Sequence, residues 1–322
     1  MIGHRRLAVV LSVAVLALGA CGYEDTPVPK QAEEPPYTPA PKSECTTDAA
    51  TLASVPADAT PGATVERIRS EGVLKVGVSA DTYLMAARNP ATSRIQGFDV
   101  EVVKAIGEAI FGETFNFNTQ TQLRVITAAD RLPLLGGLDA EGNEHPVELD
   151  LVVRNFTINS CRKEQIDFSA VYYEATQKVL VPLDEEATYT GPSSLAGKRV
   201  CAPNSSTSLV NIEKLEPDAI IVPATNHTGC LIKFQNDEVD AITGDDTVLA
   251  GLAAQDPYAV VPDQTPLSSE PYGVGIPKGD EEFVAFVNAA LEEMVDSGEW
   301  QRAYNTWLED ELGEGDPPDA IQ

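Results

Sequence analysis

The sequence predicts an α/β protein whose sheets are mostly parallel and flanked by helices on both faces. Short apolar, β-branched segments alternate along the chain with helical ones, and that order sets strands side by side with helices crossing between them. The chain has 322 residues, 43% of them hydrophobic. That is enough for about two domains, or two lobes of one, with a sizeable core.

The elements follow from the apolar spacing. Val73–Val78 has strand character, and Gly97-Phe98 opens a helix carrying Val102, Val103, Ile106 and Ile110 on one face. Asp130–Leu135 reads as a short helix and Leu149–Val153 as an apolar, β-branched strand. Further strands are predicted at Lys178–Val181, Arg199–Ala202, Ala219–Val222 and Ala259–Val261. Helices are predicted between them at Ser208–Leu215, Thr228–Gln235 and Asp246–Ala254. Phe283, Phe286, Val287, Ala290, Leu291 and Met294 mark the inner face of a long helix. Gly298 punctuates it, and Trp300, Tyr304, Trp307 and Leu308 resume the spacing.

Charge and the two ends bound the function. A formal net charge of −28 excludes a nucleic-acid partner, because phosphate contacts need clustered Lys and Arg. Arg5 and Arg6 precede the apolar run Leu7–Ala20, which ends in small residues before Cys21. This describes an export signal over residues 1–20, too short to span a bilayer. An ordinary signal peptide with a chance cysteine is the alternative to acylation at Cys21. Residues 21–65 are rich in proline and read as an extended tether, and residues 313–322 as a disordered tail.

An exported chain oxidises its cysteines. Cys45, Cys161, Cys201 and Cys230 form an even set with three possible connectivities. Cys201 and Cys230 flank one βα unit and are the first-choice pair, which leaves Cys45 with Cys161. A zinc site is the alternative, but there is no Cys-x-x-Cys pair and only three histidines. No metal and no cofactor are expected.

Several motifs then occur in order: Gly72-Val-Leu-Lys-Val-Gly77, Gly97-Phe-Asp-Val100, Asp150-Leu-Val-Val, Thr157-Ile-Asn-Ser-Cys-Arg162 and Ile166-Asp-Phe-Ser-Ala-Val-Tyr-Tyr173. Leu195-Ala-Gly-Lys198, Ser206-Thr-Ser208, Val239-Asp-Ala-Ile-Thr-Gly-Asp-Asp246, Tyr272-Gly-Val-Gly-Ile-Pro-Lys-Gly279 and Trp307 complete the series. Over residues 66 to 310 the chain resembles the family 3 extracellular solute-binding proteins, with Cys21 in a lipobox-like setting. The resemblance implies the type II periplasmic-binding-protein fold, two α/β lobes closing on a ligand. Lobe 1 would comprise residues 66–174 and 273–312, and lobe 2 residues 175–272.

The resemblance also implies a ligand set. Arg162 stands where the family binds the ligand carboxylate, a task suited to a planar guanidinium with two parallel N–H groups. Thr157 would add hydroxyl and backbone donors, with Asn155 beside it. On lobe 2, Thr207 and Ser208 open a helix whose N–H groups favour an anion, or simply follow an N-cap. Asp245 aligns with the ammonium-binding aspartate, and Asp246 reads as the N-cap of the next helix. Arg131, in Asp130-Arg-Leu-Pro-Leu-Leu135, and His227, in Ala224-Thr-Asn-His-Thr228, resemble residues of the glutamate/aspartate branch that face the ligand side chain. The bland alternatives are an ion pair of Arg131 with Asp130 or Asp139, and His227 capping the helix from Thr228. Gly136–Val147 reads as an insertion.

No Gly-x-Ser-x-Gly elbow, His-Glu-x-x-His pair or Walker loop occurs, so no enzyme is expected; a lyase on the same fold is the remote alternative. The expected role is a monomeric, lipid-anchored receptor on the outer face of a bacterial cell membrane. It would take glutamate or aspartate, with asparagine and glutamine still open, and hand it to an ABC permease. The runner-up is the same capture read by a membrane sensor.

Overall fold

Leu74–Val78 is buried on both faces, with Leu74, Val76 and Val78 at 0% exposure, and it anchors the first sheet. In a computed structural model, which describes residues 44–319, this strand runs parallel to Thr121–Val125 on one side and Leu151–Val152 on the other. Gly77 lets the neighbouring side chains close in, since a Cβ there would lie 2.7 Å from Ile126 and 2.8 Å from Leu149. Gly275–Ile276 and Asp167–Phe168 complete the sheet, with Gly275–Ile276 antiparallel to both of its neighbours. A small three-stranded sheet, Asp81–Thr82, Ala86–Arg88 and Ile95–Gln96, leads into helix Phe98–Phe111. Gly97 takes φ 138° at that junction, where a Cβ would lie 2.4 Å from the Met85 carbonyl oxygen.

The second sheet runs Ile220–Ile221, Arg199–Cys201, Ala241–Asp245, Tyr173–Pro182 and Ala259–Val260, with Ser268–Tyr272 also on Tyr173–Pro182. Tyr173–Pro182 carries the chain from the first sheet to the second, and Ser268–Tyr272 carries it back. The two crossings pair antiparallel, with Tyr173 opposite Tyr272 and Gln177 opposite Ser268. The return lets helices Glu281–Asp296 and Glu299–Trp307 pack on the first sheet through Phe283, Phe286, Val287, Trp300 and Tyr304. Trp300 Nε1 donates to the Tyr172 carbonyl at 2.8 Å, which ties that cover to the crossing.

Several expectations need correction. The sheets are mixed where the chain returns, because a crossing pair must run antiparallel. Lys178–Val181 is the apolar middle of a ten-residue strand whose polar start pairs with the return strand. Only Pro133–Leu135 of the expected Asp130–Leu135 helix forms, as a single 3₁₀ turn, because Pro133 has no N–H to extend it.

The described part of the tether lies on the body. Lys163 donates to the Thr51 and Ala53 carbonyls, and Asn288 donates to Ser54 Oγ and the Val55 carbonyl. Ala63–Glu71 is a helix with Val65 and Ile68 buried. Gly313 and Gly315 of the expected disordered tail accept from Tyr304 and Gln301. The signal segment, Cys21, residues 21–43 of the tether and residues 320–322 lie outside the described residues.

Disulfides join Cys201 to Cys230 and Cys45 to Cys161. The first closes a loop of sequence separation 29. By chain entropy such a link restricts the unfolded chain by roughly 3–4 kcal/mol. The second fastens the strap from Glu44 beside the short helix Ser160–Lys163.

Candidate functional site

Beyond Leu151–Val152 the chain enters a cleft between the two sheets as Val153–Ile158. Asn155 takes a φ of 34° there, and its N–H donates to Asp99 Oδ2 at 2.9 Å. Asp99 is fully buried and also accepts from the Tyr172 hydroxyl at 2.8 Å. Burial raises its carboxyl to about 6, against the lowering effect of those two bonds. Thr157 bridges to Tyr272 of the return strand, and Ile158 N donates to the Pro271 carbonyl at 2.8 Å. This segment is therefore stitched to the return crossing.

Arg162 follows on helix Ser160–Lys163, whose cap Asn159 accepts from the Arg162 N–H at 2.9 Å. The guanidinium donates to the Thr157 carbonyl at 2.5 Å and lies 4.9 Å from the Phe156 ring centre. Burial lowers it to about 10, partly offset by the charges of Glu270 and Asp245, so it stays cationic. Arg131 lies 4.4 Å from the same ring. Its Nε donates to the Ala128 carbonyl at 3.0 Å, and its terminal nitrogens reach the carbonyls of Arg154, Asn155 and Ser205 at 3.2–3.4 Å. Burial and then the charges of Arg162 and Arg154 press its pKa down. Arg131 is 3% exposed, which removes the surface ion-pair alternative; Asp130 accepts instead from Thr127, and Asp139 from Asn143.

Ser206 caps helix Thr207–Leu215 on the facing side by accepting from the Leu209 N–H at 3.1 Å. Ser205 before it adopts φ 59°, a conformation that serine tolerates poorly. Thr207 and Thr157 hydroxyls come from opposite walls to one oxygen, Glu270 Oε2, at 2.6 and 2.8 Å. Asp245 ends strand Ala241–Asp245 and accepts from the Tyr272 hydroxyl at 2.7 Å and from Ser208 Oγ at 3.4 Å. Burial, reinforced by the charge of Glu270, raises the Asp245 carboxyl to about 7.

Asp245, not Asp246, is the cap residue of helix Asp246–Ala253. Asp246 instead accepts from the Thr176 N–H and hydroxyl on the outward crossing, at 3.2 and 2.7 Å. His227 begins helix His227–Gln235 and does not cap it; Asn226 does, accepting from the Gly229 N–H at 2.7 Å. The half-buried His227 places Nε2 3.3 Å from the Thr243 carbonyl and packs on Gly244. Burial lowers its pKa to about 4, so it is a neutral donor at neutral pH and not a cation. The walls also meet where Thr228 Oγ1 donates to the Asp81 carbonyl at 3.0 Å.

Three groups here escaped sequence reasoning. Glu270, 1% exposed, reads as a surface acid in Ser-Ser-Glu-Pro. Tyr272 was visible as a motif residue but not as the donor to Asp245. Arg154, 5% exposed, follows an apolar strand and gives no local sign of burial. Among the described residues, no carboxylate forms a direct ion pair with Arg131, Arg154 or Arg162. Nor do the described residues include a group of three His, Cys, Asp or Glu side chains placed to hold a metal ion. The arrangement offers three guanidiniums, several hydroxyls and three buried acids, Asp99, Asp245 and Glu270, a set suited to a small zwitterion.

Comparison with known proteins finds relatives named as amino-acid-binding proteins. The glutamine-binding protein of Geobacillus stearothermophilus is 33% identical over 215 residues, covering 67% of this chain and 76% of its own. The ABC transporter glutamine-binding protein of Bacillus subtilis is 29% identical and covers 78% and 86%, respectively. The glutamate-binding protein of Corynebacterium glutamicum is 28% identical, covering 76% and 79%. Among solved structures, an ancestral arginine-binding protein bound to glutamine superposes with a TM-score of 0.63 at 26% identity, covering 76% of this chain and 99% of its own. These relatives are named as binding proteins, not as enzymes. The model of the bacterial extracellular solute-binding proteins, family 3, matches residues 74–310, and the chain belongs to that family.

Proposed function

We propose that this chain is an extracytoplasmic receptor for an acidic amino acid, glutamate or aspartate, delivered to an ABC permease. One observation carries the acidic reading: three buried arginines meet in the cleft and, among the described residues, none is directly ion-paired with a carboxylate. One guanidinium, Arg162, suffices for an α-carboxylate, and guanidinium donors beyond it suit a second anion. Asp245, with Tyr272 and Ser208 holding its oxygens, takes the ammonium. Thr157, Asn155, Thr207 and Ser208 would add polar contacts to the ligand. The net charge of −28 does not oppose this, because exposed carboxylates farther away than the Debye length of ~8 Å are largely screened.

Calorimetric titration of the protein with amino acids tests the reading. Glutamate or aspartate is expected to bind at least tenfold more tightly than glutamine or asparagine. An amide NH₂ facing buried donors is left mismatched at about 1–3 kcal/mol. Tighter binding of glutamine would assign the amide instead, as the names of two relatives would have it.

The receptor works at the membrane surface, held through an acylated Cys21. Cys21→Ala should therefore move the protein from the membrane to the soluble fraction, since an unmodified side chain buries no acyl chain. Retention of the variant on membranes in high salt would remove the anchor from the proposal.

A further inference from the structure

We propose that Arg154 is the residue that reads the distal acid group of the ligand, while Arg131 is a positioning residue that holds the cleft wall. This rests on the acidic-ligand reading and names the side chain that carries it.

The two arginines differ in how their donors are committed. Arg131 directs Nε and both terminal nitrogens to four backbone carbonyls, those of Ala128, Arg154, Asn155 and Ser205. Those carbonyls come from three separate segments, so Arg131 fastens the wall and the facing loop together. Arg154 commits only Nε, to the Ile126 carbonyl at 2.9 Å. Among the described residues its two terminal nitrogens meet no protein acceptor. The open edge is the pair of parallel N–H groups that takes a carboxylate in bidentate fashion.

Nearby acids do not fill that role. Asp81, Asp99 and Asp130 all act on Arg154 through their charge, yet none pairs with it directly. Each is already engaged: Asp81 Oδ1 by Ser79, both Asp99 oxygens by Tyr172 and Asn155, and Asp130 Oδ2 by Thr127. Arg154 is 5% exposed, and a buried cation without a partner is costly. Among the described residues, the adjacent Asn155 Oδ1 is buried with no hydrogen-bond partner, so the φ 34° kink carries an unsatisfied acceptor beside the open guanidinium edge. Arg154 and Arg131 both act through their charge on the ring of His227, the residue that the resemblance sets near the ligand side chain.

The test compares Arg154→Gln, Arg154→Lys and Arg131→Ala in the mature protein, titrated with glutamate and with glutamine and melted without ligand. Arg154→Gln should weaken glutamate at least thirtyfold and glutamine less than threefold, with an unchanged melting temperature. Arg154→Lys, which keeps the charge but loses the fork, should fall between Arg154→Gln and the unmodified protein. Arg131→Ala should weaken both ligands by similar factors and lower the melting temperature. Equal losses of both ligands in Arg154→Gln, or glutamate affinity kept within threefold, would overturn the assignment. If the unmodified protein prefers glutamine, the acidic reading falls and this assignment with it. A glutamate preference that survives Arg154→Gln removes the assignment alone.

Discussion

Arg162→Ala and Asp245→Ala should each abolish measurable binding of every amino acid, whatever its side chain. Arg162 presents a buried guanidinium above Phe156, and Asp245 a buried carboxylate held by Tyr272 and Ser208. Removing either leaves one end of the bound zwitterion desolvated and unpaired. Truncating one member of a buried charge pair costs about 2–5 kcal/mol, a loss of roughly thirtyfold to several thousandfold. Calorimetry on the folded variants measures it, and thermal melts establish that they are folded. Asp245→Asn is the companion variant, because it preserves an acceptor for the Tyr272 hydroxyl while removing the charge. A variant that keeps its affinity within threefold would show that the ligand's main-chain groups sit elsewhere.

The parts of this site differ in how plainly the sequence displays them. Arg162, Thr157 and Asp245 lie within short motifs of the family resemblance, which is what singled them out. Helix Phe98–Phe111 was likewise visible, because its buried Val102, Val103, Ile106 and Ile110 repeat at helical spacing. Glu270 was not, because its burial depends on pairing between two crossing strands nearly a hundred residues apart in sequence, as Thr176 faces Ser269. Arg154 was missed for a related reason: a charged residue after an apolar run reads as the strand's exposed end. Its enclosure comes from the facing wall. The strap near Val55 looked like a tether because proline-rich sequence lacks periodicity, yet Asn288 and Lys163 satisfy its carbonyls. Composition measures what a segment could bury on its own, not which donors the rest of the fold offers it.

Affinity for the amino acid should fall as the pH drops below about 7, by roughly tenfold for each unit. The cause is Asp245, raised to about 7 by burial and by the charge of Glu270. Its proton must leave before the carboxylate can hold an ammonium, so protonation competes with the ligand. His227 does not contribute between pH 5 and 8, since burial keeps it neutral with a pKa of about 4. Arg162, at about 10, stays charged throughout. The stability of the free protein should move the opposite way. Between the ordinary carboxylate pKa of about 4 and about 7, the folded state binds a proton at Asp245 that the unfolded chain does not. Stability from this group is therefore gained as pH falls through 7 and lost as it rises. Asp99, raised to about 6, adds to the same trend over its own window. Titrations from pH 5.5 to 8, beside melts of the free protein, measure both slopes. Asp245→Asn should flatten the Asp245 part of the stability slope and leave that of Asp99. An affinity that stays level across that range would mean that Asp245 is already ionised in the free protein, and that the cleft is open enough for water to reach it.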